Sequence, residues 1–456
     1  MPEQPAIQTV PIWRKLLPWL SGLLVLLCLL AVGNLFYQNY RSIRAIEYLG
    51  GDVFCHEPEW LPEFFTEWLS QDQLFEDQMY LFASPSQVAF YDGTLSDEDM
   101  QHVERFSRLE ELVISCVDMG PSGLKSVSQL YSLTELELGG TNFGDDGLKH
   151  LSNLRNLQVL GLEAIDIDDE QLKHLSQLTK LGSLSLGSTE VGNDGLKHLS
   201  QLPALEFLEL TQTDIDDDGL KHLAQLTKLQ TLYLSYTSID GAGLQHLAGL
   251  TSLEYLDVDH TQVNDAGLEH LRHLTNMTNL VLRHTQVSDA GLEHLADMEK
   301  LCALDLSDTQ VNDAGIQHLR GLHAIMRLNL SNTKVGDASL EHIGKLPMLV
   351  YLDLTNTQVT DTGLEQLARL PNLISLYLND TTISDAGLVH LSRLTKLELL
   401  SLENTKVSDN GVKQLSKLTK LQNLSLKKTQ FTKAGITALQ KALPRYLTRS
   451  ECQIDY

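Results

Sequence analysis

The apolar residues of this chain recur every 24 residues, and the register holds through fifteen units over residues 85–444 without an insertion. One unit, residues 253–276, reads LEYLDVDHTQVNDAGLEHLRHLTN, and we number its residues as positions 1–24 of the repeat. Apolar side chains at positions 1, 4, 6 and 11 predict a short strand with one face turned inward. Leucines at positions 16, 19 and 22 follow an aspartate and a glycine, which predicts a helix. Each unit is therefore a strand, a turn and a helix, and it cannot bury its apolar face without its neighbours.

The pattern LxxLxLxxT followed by VxDxGLxHL resembles the leucine-rich repeat, with threonine at position 9 where that family usually has asparagine or cysteine. Twelve of the fifteen units carry the threonine, and the exceptions are Gly93, Val117 and Ile165. We expect its hydroxyl to satisfy backbone groups of the turn. The resemblance implies an α/β fold: a curved, horseshoe-shaped solenoid with parallel β-strands on the concave face and helices on the convex face.

The N-terminal segment differs in kind, because residues 16–40 contain no charged side chain. A helix over residues 16–37 is long enough to cross about 30 Å of hydrocarbon, and aromatic residues lie near both of its ends. We therefore expect a transmembrane helix, although a signal peptide cleaved after Ala31-Val32-Gly33 is an alternative. The segment AIEYLGGDV at residues 45–53 resembles the juxtamembrane segment of predicted bacterial membrane-anchored leucine-rich repeat proteins. The expected topology is a single-pass membrane protein with its repeat domain on the non-cytoplasmic side.

These boundaries define the expected domains and their caps. They are a short tail over residues 1–15, the anchor over 16–40, a juxtamembrane segment and N-terminal cap over 41–84, the repeat domain over 85–444 and a C-terminal cap over 445–456. Trp60, Phe64, Phe65 and Trp68 are assigned to the N-terminal cap, because a terminal repeat needs a cover for its open edge. An aromatic ligand-binding box is the alternative for these four side chains.

Composition excludes several classes of function. The net charge is −26, with 60 acidic against 34 basic side chains, and such a surface repels nucleic acid. Five scattered cysteines without a CxxC motif predict neither a disulfide framework nor a structural zinc site. The sequence has no GxxxxGK[ST], HExxH or GxSxG motif, so we expect neither catalytic residues nor a small-molecule cofactor. Aspartate runs at residues 166–171 and 214–219 lack the ligand spacing of a calcium loop and predict solvated helix caps.

A histidine recurs at position 18 in eleven units, for example in DAGLEHL at residues 265–271 and again at 289–295. A column of imidazoles has three interpretations: a metal store, a pH sensor, or packing. Helices lie about 8–10 Å apart, whereas zinc-bound nitrogens converge on one ion at about 2.0–2.1 Å. Position 20 is mostly serine or alanine, so we favour packing of each histidine against a small residue of the next unit.

The outward strand positions 3, 5 and 7, with position 8 at the strand end, vary between units and change character from Phe207 onward. Clustered tyrosine and arginine with polar neighbours is typical of protein-binding surfaces, so we predict a partner-binding concave patch; solvated strand residues are the alternative. Its residues are Phe207, Tyr233, Tyr236, Tyr255, Asp257, Asp259, His260, Arg283, His284, Asp305, Asp308, Tyr351 and Tyr377, with Glu209, Arg327 and Asp353 among them.

One further possibility lies within this patch. His260, His284 and Asp308 occupy position 8 in three successive units. Two histidines and a carboxylate are a ligand set for a divalent metal. No second shell can be identified from the sequence, and our prediction assigns no metal site.

The function expected from the sequence is that of a membrane-tethered, non-enzymatic recognition or scaffold protein. It binds a protein or peptide through the concave face and contacts the membrane through residues 16–40. The alternative is an intracellular adaptor similar to ubiquitin-ligase substrate receptors. That alternative requires a docking module, and the sequence shows none before residue 85.

Overall fold

The computed structural model describes residues 34, 37–56, 84–91, 93–119, 123–141, 143, 147–443 and 454–455. The chain forms two compact units, Met1–Leu157 and Gln158–Tyr456. Most of the expected anchor at residues 16–40, and the aromatic residues at 60–68, lie outside the described residues. In the part of the chain that is described, no helix combines the length and apolar character needed to span a bilayer.

The N-terminal unit begins, within its described part, with a helix over residues 37–48, in which Ile43 and Ile46 are fully buried. Its strands are Asp52–His56, Ser84–Phe90, Gly93–Leu95, Glu111–Ile114, Val117–Met119 and Glu135–Glu137, and its other helices are Asp97–Glu104, Gly123–Val127 and the 3₁₀-helix Gly147–Asn153.

One antiparallel strand covers an edge of the parallel sheet in this unit. Asp52–His56 pairs antiparallel with Ser84–Phe90, whose other edge pairs in parallel with Glu111–Ile114. The backbone edge of the first parallel strand is therefore occupied rather than open, which removes a template for aggregation. Cys55 of the covering strand is a free thiol, and burial, followed by the nearby Glu47 carboxylate, raises its pKa to about 11.

The second compact unit, Gln158–Tyr456, contains a ladder of three-residue strands at the 24-residue period, each parallel to the next. The strands are Val159–Gly161, Ser183–Ser185, Phe207–Glu209, Thr231–Tyr233, Tyr255–Asp257, Asn279–Val281, Ala303–Asp305, Arg327–Asn329, Tyr351–Asp353, Ser375–Tyr377, Leu399–Ser401 and Asn423–Ser425. Ile454–Asp455 adds in parallel to the last of them. This ladder confirms the parallel-stranded solenoid.

The helical segments of the 24-residue repeats are short, and they include both α-helices and 3₁₀-helices. The α-helices are Asp169–Leu172, Asn193–Leu199, Asp217–Leu220, Asp265–Leu271, Asp313–Ile316, Asp337–Ile343, Leu364–Leu367, Asp385–Leu391, Val412–Leu415 and Lys433–Ala442. The 3₁₀-helices are Lys173–Gln177, Leu223–Gln225, Gly243–Leu247, Gly291–Leu295, Gln317–Gly321 and Asp409–Gly411.

The 3₁₀ segments differ from the α-helix that the sequence predicts, and the apolar spacing explains them. Positions 16, 19 and 22 are three residues apart, which matches the three residues per turn of a 3₁₀-helix better than the 3.6 of an α-helix. Either geometry directs these leucines inward, so the core tolerates both.

The core consists of the predicted apolar positions. In the unit that begins at Leu253, the side chains at positions 1, 4, 6, 11, 16, 19 and 22 all have 0% exposure. The position-9 threonine is also buried and has the expected role. Thr261 Oγ1 donates to the Val258 carbonyl oxygen at 2.6 Å, and the same bond recurs in ten other units, from Thr189 to Thr429.

The aspartates at the start of the helices have two roles, of which the sequence predicted one. At position 12, Asp216 accepts from the backbone N–H of Asp218 and caps its own helix, as expected. At position 13, however, Asp217 accepts from the backbone N–H of Asp240 in the next unit at 2.9 Å. Nine described aspartates make this bond from position 13 to the next position 12, and Asn193 makes the equivalent bond to Asp216. The expectation of solvated helix caps was therefore incomplete, because the position-13 aspartate joins neighbouring repeats.

Candidate functional site

The strand residues of the predicted partner-binding patch lie on one face of the second compact unit. In Tyr255–Asp257 the central leucine is buried and its two neighbours are half-exposed, and this alternation repeats from strand to strand. The register pairs Tyr233 with Asp257 and Arg327 with Tyr351. We call the outward surface of positions 3, 5, 7 and 8 over residues 207–380 the strand face.

Three aromatic rings form a continuous ridge at one side of the strand face. The ring centroids of Phe207 and Tyr233 are 5.7 Å apart, and those of Tyr233 and Tyr255 are 4.7 Å apart. Such tilted pairs are favourable contacts. Burial, followed by the charge of Asp257, raises the pKa of Tyr255, so its hydroxyl is a neutral donor at physiological pH.

A second aromatic group lies farther along the same face. The rings of Tyr351 and Tyr377 have centroids 5.4 Å apart, and the Arg327 guanidinium lies 4.8 Å from the Tyr351 centroid. Burial is the main cause that raises the pKa of Tyr351 to about 12. This group combines a cation, a π-face and neutral hydroxyls.

A pocket of about 290 Å³ separates the two aromatic groups. Tyr255 borders one end, and Arg327 and Tyr351 border the other. The intervening position-3 residues are Asn279 and Ala303, and their side chains are too small to fill the space between Tyr255 and Tyr351. Small side chains between large ones therefore create the pocket, and its volume is sufficient for one side chain of a partner.

The aspartates at position 5 have a structural role that the sequence did not reveal. Asp257 Oδ1 accepts from the backbone N–H of Asp259 at 2.9 Å, and Asp353 Oδ1 accepts from that of Thr355 at 2.8 Å. Burial is the main cause that raises the pKa of both Asp257 and Asp353. Asp305, on the pocket wall, makes the same bond to its own position 7. These carboxylates hold the strand ends in place and leave limited capacity for a partner.

Position 8 forms a separate row at the end of the strands. Tyr236, His260, His284 and Asp308 all have left-handed backbone, with φ of 57°, 52°, 49° and 56°. Non-glycine residues adopt this conformation at a cost of about 1–2 kcal/mol, and asparagine adopts it most readily. Asparagines occupy the same position at Asn332, Asn356 and Asn404.

The rings of this row stack and have acidic neighbours. Tyr236 and His260 have ring centroids 4.2 Å apart at 14°, and His260 and His284 have centroids 3.9 Å apart at 28°. His260 Nδ1 lies 2.7 Å from Asp259 Oδ1, while Asp308 Oδ2 lies 3.6 Å from His284 Nε2. Arg283 Nε is 3.7 Å from the same Asp308 oxygen.

The structure therefore brings all predicted patch residues to one face but separates them into two groups: the aromatic residues and aspartates around the pocket, and the charged stack at position 8. It also changes the ligand set considered for a metal. Donor atoms of Asp259, His260 and His284 lie within 4.8 Å of one another, and Asp308 lies against the other nitrogen of His284.

The position-18 histidines lie on the helices and are half-buried, among them His198, His246 and His294. Burial, followed by the charges of Lys221 and Lys197, lowers the pKa of His222. Among the residues the structure describes, the position-18 histidines join no cluster with metal-ligand spacing. Their packing against position 20 stays a prediction.

Three family models match the sequence. The model described as "Leucine-rich repeat region" matches residues 286–450, the model "Leucine rich repeat" matches residues 203–263, and the model "Leucine Rich repeat" matches residues 131–152 and 273–296. A comparison with curated proteins gave no match.

Solved structures with a similar fold include an internalin of Listeria monocytogenes, with 25% identity, a TM-score of 0.56, and coverage of 70% of this chain and 92% of that chain. A leucine-rich repeat protein of Leptospira interrogans has 20% identity, a TM-score of 0.58, and coverage of 78% and 92%. The ectodomain of the Arabidopsis receptor kinase HAESA, solved in complex with a peptide hormone, has 17% identity, a TM-score of 0.53, and coverage of 76% and 63%. The latter two likenesses concern the fold alone.

Proposed function

The chain is a leucine-rich repeat protein, and we propose that it is a non-enzymatic recognition protein that binds a protein or peptide on its strand face. The observation that carries the proposal is the pocket of about 290 Å³ between Tyr255 and Tyr351. Large aromatic and arginine side chains around a small pocket are typical of the anchor sites of protein interfaces. The HAESA ectodomain, in complex with its peptide hormone, is a precedent for peptide binding by this fold.

The groups around the pocket indicate how it would hold a partner. The hydroxyls of Tyr255 and Tyr351 can donate hydrogen bonds to a partner, and burial raises the pKa of both above the ordinary value. Arg327 offers a guanidinium to an acceptor of the partner. The aromatic walls contribute apolar area. We infer that one side chain of the partner enters the pocket and that its backbone crosses the neighbouring strands.

Selection from a random peptide display library tests the proposal on the full-length protein. Ala303→Tyr is the sharpest variant, because it fills the pocket with a residue type that position 3 already holds at Tyr255 and Tyr351. We expect it, and the double variant Tyr255→Ala with Tyr351→Ala, to weaken selected peptides by at least about 30-fold, as for loss of an interface hot spot. Glu269→Ala, an exposed position on a helix, is the matched control. Equal binding by wild type and Ala303→Tyr would refute the strand-face site.

We also propose that residues 16–40 tether the protein to a membrane, with the repeat domain on the non-cytoplasmic side. The uncharged length of this segment supports the proposal. Protease treatment of intact spheroplasts that express the full chain, with detection at the C-terminus, tests it. Digestion before lysis is the expected result. Protection until lysis would contradict the proposed side of the membrane and favour the intracellular adaptor.

A further inference from the structure

We propose that Asp259, His260 and His284 form a binding site for a divalent transition-metal ion, with zinc as the best match. One donor atom from each residue lies within 4.8 Å of the other two. Asp259 Oδ1 is 2.7 Å from His260 Nδ1 and 3.8 Å from His284 Nδ1. Donor atoms around a tetrahedral zinc are about 3.4 Å apart, given bonds of about 2.0–2.2 Å. The separations between the donor atoms therefore need to change by less than the length of one metal–ligand bond to match this spacing.

The second nitrogen of each histidine already has a partner. Asp308 Oδ2 lies 3.6 Å from His284 Nε2, and the Tyr236 hydroxyl lies 3.5 Å from His260 Nε2. Histidines that ligate a metal through one nitrogen usually direct the other towards a carboxylate or another polar group, which fixes the ring and its tautomer. Both rings therefore have an outer shell that leaves Nδ1 for the ion.

His284 Nδ1 is the atom that most requires a ligand. It is inaccessible to solvent and makes no hydrogen bond to any residue that the structure describes. A buried polar atom without a partner destabilises the folded protein through its desolvation cost, and a ligand that binds the atom offsets that cost. The three side chains are 15% (Asp259), 29% (His260) and 35% (His284) exposed, so the site is shielded yet open to an ion.

The donor set selects the class of metal. Two imidazoles and one carboxylate suit zinc, copper, nickel or iron, whereas calcium and magnesium prefer oxygen donors alone. Three protein ligands leave a fourth position of the tetrahedron for water or for a side chain of a partner. Binding requires the stacked rings to turn about their side-chain torsions so that both Nδ1 atoms point at the ion, and this torsion is soft. His260 Nδ1 lies within hydrogen-bond distance of Asp259 Oδ1, so binding requires the tautomer of His260 that carries its proton on Nε2, facing the Tyr236 hydroxyl.

Calorimetric titration of the metal-depleted, full-length protein with Zn²⁺ tests the site. The informative variant is His260→Asn with His284→Asn, because asparagine occupies the same left-handed position at Asn332, Asn356 and Asn404 and preserves the fold. His294→Asn, on a helix, is the matched control for removal of a histidine. We expect wild type and control to share one tight site that the double variant loses, with affinity lower by at least about 100-fold. Asp308→Asn should weaken zinc by about 10–100-fold, as for other outer-shell partners.

Two outcomes of the titration would contradict the proposed metal site. Equal titrations of wild type and the double variant, or no zinc binding by the wild type in the micromolar range, would overturn the site. Thermal unfolding of each metal-free variant shows whether the variant is folded. Co²⁺ absorption gives an independent readout, because a tetrahedral nitrogen and oxygen site gives a visible band that should be present in wild type and His294→Asn and absent from the double variant.

Discussion

Asp265 accepts two hydrogen bonds from Ser288, 23 residues later: one from the backbone N–H at 2.7 Å and one from the hydroxyl at 2.6 Å. The aspartate is the first residue of the helix Asp265–Leu271, and the serine precedes the 3₁₀-helix Gly291–Leu295 of the next repeat. Nine junctions between described repeats are thus joined by charge-assisted bonds at the helix entrance as well as by the strand ladder and the core.

Removal of this bridge should destabilise the array locally. Asp265→Ala leaves the Ser288 amide without its acceptor and should lower the free energy of unfolding by about 1.5–3 kcal/mol. Urea unfolding measures the loss, and hydrogen exchange should show faster exchange at Ser288. Glu269→Ala, four residues along the same helix, is the control and should change the stability by less than about 0.5 kcal/mol. Equal stabilities of the two variants would contradict a bridging role.

The threonine at position 9 offers an isosteric test of one buried hydrogen bond. Thr261→Val keeps the shape of the side chain but leaves the Val258 carbonyl oxygen without a donor, so the free energy of unfolding should fall by about 1–3 kcal/mol. Thr261→Ser retains the hydroxyl and should recover most of that loss. Thermal unfolding of the three proteins measures both effects. A serine variant as unstable as the valine variant would attribute the loss to packing instead.

The stability of the strand face should depend on pH through Asp353. Burial raises the pKa of this carboxyl above its ordinary 3.8, so the folded chain holds more protons than the unfolded chain between the two values. The contribution of this carboxyl to the free energy of unfolding is therefore fully present below pH 3.8. It is lost as the pH rises through the pKa of the folded state. Asp353→Asn removes the charge and keeps an acceptor, as Asn329 does at the same position. Its unfolding midpoint should exceed that of wild type at pH 7, and the difference should disappear near pH 4. A lower midpoint at pH 7 would show that the carboxylate is net stabilising.

One substitution should have opposite signs at two positions. Ala164 has φ of 54°, where a Cβ is unfavourable, so Ala164→Gly should raise the free energy of unfolding by up to about 1 kcal/mol. Ala224 lies within the 3₁₀-helix Leu223–Gln225, where glycine should lower it by about 0.5–1 kcal/mol. Urea unfolding of the two variants measures the contrast. The same sign for both would mean that the left-handed backbone at position 8 carries little strain.

Most of the fold can be predicted from the sequence because the 24-residue period repeats every inward position in each unit. The apolar positions 4 and 6 specify the buried face, and so the period alone is enough to place Tyr233 and Asp257 as neighbours. The type of helix is harder to predict. A leucine at every third position satisfies a 3₁₀-helix as well as an α-helix, and only the packing of neighbouring units decides between them.

The site could be predicted as a set of residues but not as a geometry. The pocket depends on Asn279 and Ala303 being small between Tyr255 and Tyr351. The period places these position-3 residues on successive strands, but it does not give the volume between the large side chains. The ligand set depends on backbone conformation. His260 Nδ1 contacts Asp259 of its own repeat, whereas Asp308, two repeats along the chain, contacts His284. Alignment of residues by repeat position alone selects Asp308 instead.

The bridges from a position-13 aspartate to the next position 12 all run in the same direction along the second compact unit. The array is therefore polar, in the sense that a filament with unlike ends is polar. Removal of a repeat from the C-terminal side would expose an aspartate that has lost its donors. Removal from the other side would expose a neutral amide. In a chain with a net charge of −26, these are different events, because only the first adds an unshielded negative charge to the broken end. Shortening the solenoid from its two ends therefore has unequal electrostatic consequences, although every repeat is built alike.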